Sequence, residues 1–207
     1  MADFIISFLS KITTNGKVIT FLLSMFPLIE LKGAIPVGVR CGESIWTSAA
    51  LAYAGSSLIC IPVFFLLIPI FNLLKKLKFI KRFIEKVETV LKEKAEKLAA
   101  KSNGDTEKEK IKMLRLGLFI FVAIPFPVTG VWTGTAIAVF LALGFKNSFL
   151  PLVLGNLVAG VIITLLTFFF KDYVNIIINV LFVIAIIMLI VFITKIVLAK
   201  PEKPKDE

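Results

Sequence analysis

Apolar and polar positions alternate along this chain in long blocks, not in short periods. Residues 44–74, 116–145, 147–170 and 173–194 carry no charged side chain. A helix needs about 20 predominantly apolar residues to cross the hydrocarbon core of a bilayer, so each block is long enough to span. Two apolar regions are interrupted. Residues 18–29 form an arm that runs into Pro27, Glu30, Lys32, Gly33, Pro36 and Gly38 in quick succession. Residues 116–126 form a second arm, leading into Pro125, Pro127, Thr129, Gly130, Trp132, Thr133 and Gly134. Prolines and glycines at this density break a helix. Broken backbone is tolerated at membrane depth only where protein or a water-filled cavity surrounds it. Each region is therefore expected to form a re-entrant hairpin, over residues 18–40 and 116–145.

Around the hairpins the pattern is more regular. Phe4, Ile5, Phe8, Leu9 and Ile12 recur at helical spacing and predict a short interfacial helix over residues 3–14, ended by Asn15-Gly16. Residues 44–74, 147–170 and 174–198 predict full spans, the first carrying Pro62 and Pro69. Residues 75–101 are basic, with Leu77, Ile80, Ile84, Val87, Leu91, Ala95 and Leu98 on one face. Glu88 with Lys92 and Glu93 with Lys97 support a helix there, lying along the headgroups. The tail, residues 200–207, is polar, contains two prolines and is expected to be disordered.

Shifting the sequence by 100 positions aligns Phe21 with Phe121, Phe26-Pro27 with Phe126-Pro127, Val39 with Val139, Ser48 with Ser148, Gly55 with Gly155 and Leu66 with Leu166. The order of short arm, break, short arm and span recurs with them. This divides the chain into a first repeat (1–74), a basic segment (75–115) and a second repeat (116–170). One crossing between two re-entrant hairpins would open them to opposite sides. That is an inverted repeat, as in many secondary transporters, whose sites form where broken helices meet near the midplane. The expected fold is all-α: a polytopic integral membrane protein with two re-entrant hairpins in an inverted repeat, about three full spans and an amphipathic cytoplasmic helix. The basic segment, Lys146 and the tail then share the cytoplasmic side of the inner (plasma) membrane. Lys11, Lys17 and Arg40 fall opposite, and a single broken crossing over residues 18–39 is the alternative. Residues 1–10 carry Asp3 and no basic start, so no cleavable signal is expected.

Composition narrows the function. The chain is 58% hydrophobic and 18% charged, against about 45–50% and 25% in soluble domains. The net charge of +10 concentrates between the apolar blocks, which fits membrane lipids as partners and not nucleic acid. The sequence has no histidine, so neither a metal site nor a cofactor is expected, and general acid–base machinery is hard to assemble. Cys41 and Cys60 are expected to pack without a disulfide. A transporter is the favoured class. A membrane-embedded lipid-modifying enzyme and an assembly scaffold are the alternatives, and a homo-oligomer is left open.

Glu30 is the foremost candidate residue. An ionisable group at membrane depth is costly and marks a functional site by default, and a buried carboxyl group can carry a proton. Lys32 and Arg40 are the nearby cations, able to pair with Glu30 or to bind an anionic headgroup. The alternative for Glu30 is to cap a short helix at the interface. Thr129, Thr133 and Thr135 supply hydroxyls, while Gly130 and Gly134 allow close backbone approach. Trp132 is either an interface anchor or a wall of the site. Asn156, deep in an apolar span, is expected to hydrogen-bond between helices.

Two of these segments carry a resemblance. Glu30-Leu31-Lys32-Gly33-Ala34-Ile35-Pro36 resembles the Glu-Leu-Arg-Gly-Ala-Ile-Pro signature of the small multidrug export proteins. The run from Pro125 to Gly134 is similar to that family's second signature. The family resembles in architecture the broader DedA-like superfamily, whose members carry two re-entrant hairpins and include proteins implicated in flipping polyprenyl-phosphate or other lipids. The resemblance implies Glu30 as the acidic position, Pro27, Pro36, Pro127 and Gly130 as hairpin formers, and an anionic amphiphile as partner. Lys32 stands where the signature has arginine, which puts a bidentate phosphate grip in doubt.

Overall fold

The computed structural model describes residues 13–74, 106–126 and 129–170, with single helical positions between 176 and 194. These residues form six helices, and no strand occurs among them. The expected helices over residues 3–14 and 75–101, Pro127, most of the last span and the tail lie outside the described residues.

Helix α1, Gly16–Ser24, starts where the Asn15 side chain accepts a hydrogen bond from Lys17 N at 3.0 Å, an N-cap that satisfies one orphan donor. A break over residues 25–29 follows, with Phe26, Pro27 and Leu28 exposed. Helix α2 runs over Glu30–Arg40 and α3 over Ile45–Leu74. The first break is narrower than the sequence suggested, because Gly33, Pro36 and Gly38 lie inside α2 instead of forming the turn. Pro36 removes only the bond that its missing N–H would have made to the carbonyl of Lys32. A Cβ at Gly33 would come within 2.7 Å of the Ile29 side chain, and one at Gly38 within 2.6 Å of Ser48 Oγ. These two glycines serve packing.

The second half repeats the order. Helix α4, Thr106–Ala123, begins ten residues before the arm read from the sequence. Glu107 and Glu109 in its first turn favour a helix start through the macrodipole. Charges placed in the basic segment 75–115 thus belong to the helix. Helix α5, Val131–Phe140, and α6, Phe145–Phe169, complete the set, with Gly134 inside α5.

The two halves also stop their short helices in the same way. Cys41 N, Gly42 N and Glu43 N donate to Val37 O, Val39 O and Gly38 O. Leu141 N, Ala142 N and Leu143 N donate to Ile137 O, Val139 O and Ala138 O, at 2.9 to 3.1 Å throughout. The turn needs a left-handed residue. Gly42 provides it at φ 89°, whereas Ala142 adopts φ 52° against its own preference.

Helices α1 and α2 lie side by side and antiparallel. Gly16, which opens α1, sits against Cys41 and Glu43 just beyond α2, and Gly38 sits against Thr20. Both pack on α3, and α4 packs on α6; α5 packs mainly on α3 and also on α6, α2 touches α6, and α3 and α6 pack on each other, so the halves are joined through several helices. Two apolar clusters result, and each borrows from the other half. Ile163 of α6 joins Leu23, Leu31 and Ile35, while Cys60 and Phe64 of α3 join Val122, Val131 and Leu152.

Polarity is distributed inside out. Thr20, Ser24, Ser48, Ser56, Thr135, Ser148 and Asn156 are buried, whereas Phe65, Leu66, Leu73, Val161, Phe168 and Phe169 are exposed. Only 28% of the most apolar stretch of α3 is buried inside the molecule, unlike the core helix of a soluble protein. Small and hydroxyl side chains inside with large apolar ones outside is the pattern of helices packed within lipid. Helices α3 and α6 are each long and apolar enough to cross a membrane.

Candidate functional site

The two breaks meet. Glu30, the first residue of α2, is 5% exposed and holds a left-handed backbone, φ 49°. For a residue other than glycine this conformation costs about 1–2 kcal/mol, and such strain collects at functional sites. Its carboxylate reaches the other half of the chain. Trp132 N donates to Glu30 Oε1 at 3.1 Å. Helix α5 has Gly130 at its N-cap, with no side chain of its own to take up the free N–H groups. Glu30 therefore caps α5 from α2, with its negative charge at the positive end of that helix. Gly130 lies directly beneath the carboxylate, and any Cβ there would collide with it.

Lys32 holds the other oxygen. Its Nζ lies 3.3 Å from Glu30 Oε2, with both side chains 6% exposed. The same ammonium donates to Phe126 O at 2.9 Å, a carbonyl just past the end of α4. From the opposite side, Trp132 Nε1 donates to Met25 O at 2.9 Å, just past the end of α1. Each half thus sends one long donor from the start of its second short helix to the open carbonyl end of the other half's first helix. A buried ion pair survives only when its remaining donors and acceptors find partners; here the ammonium has two acceptors and each carboxylate oxygen one donor.

The other candidates take different places. Arg40 is exposed at the far end of α2, ten residues or about 15 Å along the helix from Glu30, so it does not join the pair. Thr129 turns its hydroxyl back to Ile124 O (2.7 Å) and Phe126 O (2.8 Å), tying the second break. Thr133 is half-buried on α5 and Pro125 half-buried in the break. Thr135 Oγ1 donates to Val131 O and touches Cys60 Sγ at 3.5 Å. Asn156 bridges α6 to α3 as expected, donating to Ser56 Oγ at 2.8 Å and Ser57 Oγ at 3.0 Å.

Sequence reading passed over Met25 and Phe126, whose backbone carbonyls close the site, and over Ser56. The last carried a signal, because Ser56 and Asn156 are 100 positions apart. Tyr53 and Val153, with the same separation, approach at 3.5 Å through Tyr53 Oη and Val153 O.

A groove of about 290 Å³ runs elsewhere, between α3 and α6, walled by Trp46, Ala49, Tyr53, Leu157, Gly160 and Thr164. It is apolar and does not include the ion pair. Among the described residues no cluster of histidine, cysteine or carboxylate side chains could hold a metal ion.

Comparison with curated proteins finds no match, and comparison with solved structures finds none either. The profile of the small multi-drug export proteins matches residues 30–162, more than half of the chain, starting at Glu30 just after the first break and including the second. With α3 and α6 long and apolar enough to cross a membrane, this chain belongs to the small multi-drug export protein family.

Proposed function

We propose that the protein is a secondary transporter whose substrate passes between two re-entrant hairpins, α1–α2 and α4–α5, arranged as an inverted repeat. The observation that carries this reading is the buried Glu30–Lys32 pair lying where the two breaks meet. Helix lengths support re-entry. The 9, 11 and 10 residues of α1, α2 and α5 reach about 14–17 Å, half the roughly 30 Å hydrocarbon core. Helix α4, with 18 residues, is longer, and in this reading its charged first turns lie outside that core. Gly16 beside Cys41 and Glu43 favours a hairpin over a single broken crossing, since the chain leaves beside its point of entry. The repeat is supported by the identical capping turns after α2 and α5 and by contacts between positions 100 apart, which a two-fold axis between α3 and α6 would produce.

Glu30 is the coupling group in this reading, because its carboxylate ties both hairpins and its release frees both. An amphiphile suits the geometry: its polar end passes between the breaks while its tail stays in lipid, which would make the protein a lipid flippase of the DedA-like kind. The test is reconstitution in proteoliposomes with a fluorescent anionic phospholipid in one leaflet. The native chain is expected to move the probe across, and Glu30→Gln is expected to abolish movement. Undiminished movement in Glu30→Gln would sink the carboxylate mechanism.

A further inference from the structure

We propose that the Glu30 carboxylate is a built-in occupant of an oxyanion site, and that a ligand carrying a phosphate or carboxylate group takes its place between Lys32 and the start of α5. The inference rests on the transporter reading and names the chemistry of what the site holds.

Three observations carry it. The donors are those an anion needs: a buried ammonium, Lys32 Nζ, and the N–H of Trp132 at the start of a ten-residue helix. Gly130 keeps the floor between them free of side chain, and the Glu30 carboxylate fills that floor. The occupant's bond to Lys32 is long, at 3.3 Å against the 2.7–2.9 Å usual for a charge-assisted bond, and its backbone is strained at φ 49°. A carboxylate held in a strained backbone over donors suited to an oxyanion is poised for exchange. As an oxyanion enters, Glu30 leaves, and the contact that joins α2 to α5 breaks with it. Binding and opening become a single event. The donors recognise the anionic group alone, so a free anion and a lipid headgroup share this chemistry.

The experiment uses the full chain in phosphatidylcholine nanodiscs with Trp46→Phe, which leaves Trp132 as the sole tryptophan. Trp132 emission is titrated with inorganic phosphate in one arm and with phosphatidic acid in the other. Removing the internal competitor in Glu30→Ala is expected to tighten binding about ten-fold or more, because the site no longer waits for the carboxylate to leave. Glu30→Gln, which keeps the shape and removes the charge, is expected to tighten it in the same direction and serves if the alanine variant does not fold. Adding Lys32→Ala to either variant is expected to abolish the gain. Tightening with phosphate assigns a free anion, and tightening only with phosphatidic acid assigns a headgroup. No tightening in either arm, or equal tightening without Lys32, overturns the proposal. If Glu30→Gln abolishes lipid movement in proteoliposomes yet neither anion binds more tightly, the transporter reading stands and the oxyanion site falls.

Discussion

Glu30 and Gly130 stand 100 positions apart in the chain and press against each other, carboxylate on bare backbone, where the two halves meet. The contact leaves no room for a methyl group. Gly130→Ala is therefore expected to push the carboxylate off Trp132 N and to destabilise the protein by about 1–3 kcal/mol, the usual cost of overpacking. Adding Glu30→Ala should recover part of that loss. A double-mutant cycle on thermal unfolding in detergent checks the coupling, and strict additivity would contradict the contact.

The two reciprocal donors should differ in weight. Trp132→Phe leaves the Met25 carbonyl without its indole and is expected to cost about 1 kcal/mol. Lys32→Met strands a buried carboxylate, for which about 3–5 kcal/mol is expected. Lys32→Met combined with Glu30→Gln should lose much less than Lys32→Met alone. Melting temperatures of the three variants, measured side by side, settle the order.

Between the long helices the expected numbers are smaller. Asn156→Ala removes the bridge to Ser56 and Ser57, and interhelical hydrogen bonds of this kind average about 0.6 kcal/mol in lipid. Gly155→Ala, one residue away, should be worse. Its added methyl would lie 2.7 Å from Phe119 O and 2.9 Å from Val122 Cβ, forcing α4 off α6. Unfolding of the two variants under one denaturant gradient tests the ranking.

Ala142 offers a gain in stability. It occupies the left-handed position that Gly42 fills in the first half. Ala142→Gly is expected to stabilise by about 1 kcal/mol, and Gly42→Ala to destabilise by a similar amount. A raised melting temperature for the first and a lowered one for the second are the expected outcomes.

The long helices and both breaks were legible in the sequence, since charge-free runs and clustered prolines report directly on what lipid tolerates. Asn156 was legible for the same reason: an amide deep in an apolar span must find a partner. The extents of the breaks were not. Gly33, Pro36 and Gly38 read as punctuation, yet Gly33 is small because Ile29, one turn earlier, lies close, and Gly38 because Thr20 and Ser48 do, the latter a tertiary reason that no local pattern carries. The start of α4 was missed because Glu107, Lys108, Glu109 and Lys110 look like a loop when judged by charge alone. Lys32 was singled out beside Glu30, but its second partner, a backbone carbonyl 94 residues away, leaves no trace in side-chain identity.

The crossed donors of Lys32 and Trp132 bear on how the chain is made. A ribosome delivers residues 1–74 before it delivers Trp132, so for that interval the Met25 carbonyl lacks its indole, and Glu30 and Lys32 have only each other. The emerging first half is thus an incomplete object, with buried polar groups that have yet to meet their partners. It should be retained by insertion machinery, or remain a target for quality-control proteases, until the second half arrives. Translation speed across the segment between the halves then becomes a determinant of yield, and synonymous codon changes there should alter how much protein reaches the membrane.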